Sequence, residues 1–64
     1  MNEHEKRRVE QLLRLFSNAD LAEFRVTIEK LRSEEKSREL AESALELIAK
    51  EERIRDFYRL NFRE

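Results

Sequence analysis

Taken at helical spacing, the apolar residues of this chain fall into phased groups separated by short polar breaks. With each residue advanced about 100° around a helix axis, Val9, Leu12, Leu13 and Phe16 share one face. Leu21, Phe24, Ile28 and Leu31 share a second face, rotated from the first by roughly 110°. Supercoiling shifts a face by only about 20° per heptad, which disfavours one continuous helix through both groups. The break belongs at Ser17-Asn18-Ala19-Asp20. There Ser17 or Asn18 can accept from a free backbone N–H as a helix cap, and Asp20 suits the positive end of a new helix dipole. The pattern predicts a first helix over about 3–16 and a second over about 19–32.

A further break is expected at Ser33. Lys30 and Arg32 precede it and suit a helix C-terminus, while Glu34 and Glu35 follow it and suit an N-terminus. The third helix is expected over about 34–62, with Leu40, Ala41, Ala44, Leu45, Leu47 and Ile48 as its buried face. After the polar run Lys50-Glu51-Glu52-Arg53, the apolar set resumes as Ile54, Phe57 and Tyr58, with Asn61 alongside. No capping residue stands near Lys50, so an unbroken helix is favoured over a bend or restart there.

These elements predict an all-α, three-helix bundle whose third helix is about twice as long as the others. Part of that helix must overhang. Either the short helices stack on different halves of it, or a second molecule covers its end. If the break at Ser17 is only a kink, the alternative is a helical hairpin folded near Ser33 that dimerises into a four-helix bundle.

Composition narrows the class. The 64 residues include no Gly, Pro or Cys, and 45% of them are charged. Without Gly or Pro the chain has little means of making tight β-turns or phosphate-cradling loops, and its abundant Leu, Glu, Arg, Ala and Lys are good helix formers. Residues 1–64 form one domain. A domain of this size buries only roughly 60% of its unfolded surface. Disulfides are excluded, and His4, the only histidine, makes a structural zinc untenable. Stability must then come from helix packing or self-association. The net charge of −1 supplies no global attraction toward nucleic acid or membrane. No window approaches the roughly 18 apolar residues of a membrane span, and the N-terminus lacks a signal-peptide core. A soluble cytoplasmic chain is expected, or one with no native compartment if synthetic.

Catalysis fits poorly. His4 sits in a terminal segment with no cysteine to pair with, and the serines (17, 33, 37, 43) fall at helix starts or on polar faces. Glu35, Glu39, Glu42 and Glu46 form a stripe, but no Glu-x-x-His pair accompanies it as a di-iron bundle would need. Arg38 and Lys50 stand four residues from Glu42 and Glu46, which marks an ion-paired solvent face. No enzyme activity and no cofactor are expected. Arg55, Arg59 and Arg63 form an i, i+4, i+8 stripe beside Tyr58 and Phe62, an arrangement found on RNA and single-strand surfaces. Glu51 and Asp56 are placed to neutralise it, and the charge balance lacks the excess that phosphate binding needs.

Taken whole, the chain resembles computationally designed helical mini-proteins in length, in its lack of special residues, and in its acidic helix starts and basic helix ends. It departs from them in having no Gly at helix ends. Rop-type helical-hairpin regulators share its length and class.

The function expected is that of a non-enzymatic protein–protein interaction module. Its candidate partner-binding residues are Phe57, Tyr58, Arg59, Leu60, Phe62 and Arg63 at the end of the third helix, with Val26 on the second. Leu15, Ala22 and Val26 fall off the assigned core faces, whereas Ile54 and Phe57 are placed to complete the core. The partner is another protein or a second copy, with a homo-oligomer favoured. A small RNA- or DNA-binding regulator and a scaffold without a partner are the alternatives.

Overall fold

The computed structural model describes residues 2–62, the side chain of Phe62 excepted. It contains α1 (Glu3–Leu15), α2 (Asn18–Arg32), a short 3-10 turn (Glu35–Ser37) and α3 (Arg38–Phe62). The fold is an all-α three-helix bundle with a long last helix. Among the described residues there is no strand, and no helix is long and apolar enough to cross a membrane.

The break between α1 and α2 is a true change of direction. Phe16 (φ −76°, ψ 141°) and Ser17 (φ −67°, ψ 166°) are both extended. Ser17 caps α2, its Oγ accepting from the Asp20 N–H at 3.1 Å. At the other end of the bundle, Asn2 caps α1 through Oδ1 and the Glu5 N–H at 2.9 Å. No described residue has positive φ, so the turn is made without the left-handed residue that often ends a helix.

The junction at Ser33 differs from expectation. Ser33 keeps a right-handed helical conformation (φ −73°, ψ −15°), and its Oγ donates back to the Lys30 carbonyl at 2.7 Å. The hydroxyl therefore closes α2 and does not cap the next helix. Glu34 makes the extended step, residues 35–37 form the 3-10 turn, and α3 starts at Arg38 rather than 34. From there α3 continues through Lys50 unbroken.

Cross-helix contacts set the directions. Arg25 pairs with Glu52 at 3.3 Å, and Arg32 lies beside Leu45 and Ala49, so α2 runs antiparallel to α3. Glu10 pairs with Lys50 at 3.1 Å, and the Leu13 carbonyl meets Arg55, so α1 runs parallel to α3. Both short helices lie along the same part of α3 and turn back opposite Arg55. Of the arrangements considered, neither stacking on different halves of α3 nor the two-helix hairpin is the one adopted. At a rise of about 1.5 Å per residue, α3 is roughly 37 Å long; the molecule's longest dimension is 45 Å. The last two turns of α3 project past the α1–α2 turn.

The core consists of Leu13, Leu21, Ile28, Ala41, Ala44, Leu47 and Ile48, with Val9, Phe16, Phe24 and Leu45 packed against it. Phe16 meets Phe24 edge to face, with ring centroids 5.4 Å apart. Leu12, Leu31 and Leu40, assigned to the core from their phase, are exposed instead. α1 packs chiefly on α3, so only a narrow stripe is covered and Leu12 falls outside it. Leu31 lies at the last turn of α2. Counting back from the Glu10–Lys50 pair, α1 begins opposite Ser43, which leaves Leu40 one turn beyond its cover.

Candidate interaction surface at the end of α3

The end of a helix leaves backbone carbonyls without partners, and α1 has no glycine with which to close that end. Arg55 closes it from α3. Its Nη2 donates to the carbonyls of Leu13 (2.8 Å) and Phe16 (2.7 Å). Its Nη1 donates to Asn18 Oδ1 at 2.8 Å, and its Nε to Glu51 Oε2 at 2.8 Å. One guanidinium thus ties the last turn of α1, the turn itself, the first residue of α2 and a carboxylate of α3. A cation at this place also complements the negative end of the α1 dipole.

Among the described residues Glu51 is the one buried polar or charged residue. Its side chain is 11% exposed and that of Arg55 21%. The pair is largely withdrawn from water, yet among the described residues every buried side-chain nitrogen and oxygen has a hydrogen-bond partner. Helical periodicity places Arg55 on an Arg–aromatic stripe with Arg59 and Tyr58. The structure removes it from that stripe and makes it the clamp between the three helices. The i, i+4 spacing to Glu51 was visible in the chain; the backbone carbonyls about 40 residues away were not.

Beyond this clamp, α3 carries Phe57, Tyr58, Arg59 and Leu60, all exposed. Phe57 and Tyr58 are each 58% exposed and Leu60 68%. The assignment of Phe57 to the core is therefore corrected, while Ile54 is half-buried as a core-edge residue. Phe57 and Tyr58 stack edge to face with centroids 5.8 Å apart, and Asn61 Nδ2 donates to the Phe57 carbonyl at 2.8 Å. Arg59 pairs with Asp56 at 3.3 Å in the open. The Phe62 side chain and Arg63, both candidate partner-binding positions, lie outside the described residues.

Val26 is half exposed on α2, but Leu21 and Ile28 turn the opposite face of that helix to the core. The structure does not bring Val26 to the end of α3. Leu15 is the most exposed large apolar residue of the described chain, at 81%. Together with Leu12 it gives α1 a second apolar edge.

Two further ion pairs tie α1 and α2 to α3. Lys50 reaches Glu10 of α1, not Glu46 on its own helix. Arg25 bridges Glu29 and Glu52. Among the described residues no group of three or more His, Asp or Glu side chains is placed to hold a metal ion. No protein-family model, curated protein or solved structure matches this chain.

Proposed function

We propose that this chain is a non-enzymatic helical module that binds a protein, either a second copy or a distinct partner, through the projecting end of α3. The observation that carries the reading is the exposure of Phe57, Tyr58 and Leu60 within about one turn of a helix whose base is held by Arg55. Fully burying a side chain such as Leu or Phe is favourable by about 1.5–3 kcal/mol, and exposed apolar clusters commonly mark interaction sites. Aromatic residues and Arg are also the types enriched among interface anchors. The Arg55 clamp supports this reading over nucleic-acid binding, because it takes the first arginine out of the basic stripe, and Asp56 offsets Arg59.

The double variant Phe57→Ala/Leu60→Ala tests the reading. Both side chains are already exposed, so its urea midpoint should shift by no more than about 0.5 kcal/mol per site. In sedimentation equilibrium, any concentration-dependent mass shown by the parent should disappear in the variant. A loss of several kcal/mol, as core truncation gives, would place these residues inside the fold and remove the interaction surface.

A further inference from the structure

α1 ends at Leu15 while α3 runs on, and the space that a longer α1 would occupy is an open groove of about 900 Å³. Ile54, Phe57 and Tyr58 line it, with Arg14 on the α1 side and Arg53 on the α3 side. Two other cations, Lys50 and Arg55, also line the groove, and both are satisfied within the chain, by Glu10 at 3.1 Å and Glu51 at 2.8 Å. Arg14 and Arg53 have no hydrogen bond or ion pair among the described residues. The groove therefore combines an apolar lining with two uncompensated guanidinium groups on opposite sides.

We propose that this groove seats an acidic amphipathic helix of another protein. The inference rests on the interaction-module reading and adds the chemistry of the partner. The helix lies where α1 would have continued. Its apolar residues cover Ile54, Phe57 and Tyr58, in the helix-in-groove mode. Its flanking carboxylates meet Arg14 and Arg53, whose planar forks suit carboxylate oxygens. A second copy docked end to end would instead set Arg14 and Arg53 against their own counterparts, and like charges across an interface oppose binding.

The test is fluorescence anisotropy with a labelled synthetic peptide carrying Leu at i, i+3, i+4, i+7 spacing and Glu on both flanks. A twin with Lys in place of Glu and an oligo-dT strand serve as comparison probes. The Glu peptide should bind at least about tenfold tighter than its Lys twin, and the Arg14→Gln/Arg53→Gln variant should lose about tenfold, the order expected for losing two charged contacts. The variant's circular dichroism should match the parent, since neither arginine has a partner among the described residues. Equal binding of the two peptides, no binding of the Glu peptide, or indifference to the double substitution would overturn the proposal. Preferential oligo-dT binding lost in the same variant would overturn it in favour of phosphate. If the Glu peptide fails to bind while self-association sensitive to Phe57→Ala/Leu60→Ala is present, the acidic-helix proposal falls and the interaction module stands. If neither is seen, both fall.

Discussion

Removing the Arg55 guanidinium should destabilise this fold far more than removing any other arginine of α3. In Arg55→Ala, the carbonyls of Leu13 and Phe16 and the Asn18 side chain lose a charged donor. Glu51, with its side chain only 11% exposed, loses its counter-ion. Hydrogen bonds to charged groups contribute about 1.5–3 kcal/mol each, and breaking a buried ion pair by removing one partner costs about 3–5 kcal/mol. These terms overlap and are not additive. The carbonyls at the turn can also regain water, since Asn18 and Ser17 are exposed. A net loss of about 3 kcal/mol is the reasoned value. For 64 residues the total stability is on the order of 3–10 kcal/mol, so the variant should lose about a third or more of it. Urea titration followed by far-ultraviolet circular dichroism reads this directly. At an m-value of about 1 kcal/mol/M, the midpoint should fall by roughly 3 M. Arg59→Ala is the control. Its ion pair with Asp56 is exposed on both sides and should be worth under about 1 kcal/mol. The double variant Arg55→Met/Glu51→Leu should recover part of the loss, because it removes the unpaired buried carboxylate along with its partner. Equal and small shifts for Arg55→Ala and Arg59→Ala would refute the reasoning, since Arg55 would then be an ordinary surface arginine.

Ser17→Ala removes the side chain that caps α2 and should cost about 1 kcal/mol; Ser17→Asp should retain most of that stability, and equal urea midpoints for all three proteins would refute the cap. Ile48 is 0% exposed at the centre of the core, so Ile48→Ala should cost about 2–5 kcal/mol and abolish the cooperative transition, whereas a loss below about 1 kcal/mol would show that the helices do not converge there.

The helices and the places where they stop were legible in the chain because both depend on neighbours a few residues away. The phase jump between the Val9–Phe16 and Leu21–Leu31 groups required a break, and Ser17 with Asp20 supplied a local reason for its position. The absence of a cap near Lys50 similarly predicted the unbroken α3. The exposed positions of Leu15, Val26 and Leu60 follow from the same periodicity. Ser33 shows the limit of local reading: its hydroxyl can cap a following helix or close the preceding one, and local residue types suit both.

What only the tertiary structure decided depends on residues far apart along the chain. Phase locates a face on a helix but not how wide a stripe its neighbours cover, so Leu12 and Leu40 were assigned to a core whose edges stop short of them. The end of α1 is the clearest case. A chain without glycine has no cheap left-handed residue with which to close a helix. The carbonyls left open there are satisfied by a guanidinium 39 to 42 positions away. Helix formation is local, so sequence periodicity reports it; satisfying a turn by a distant cation requires the helices to have packed already.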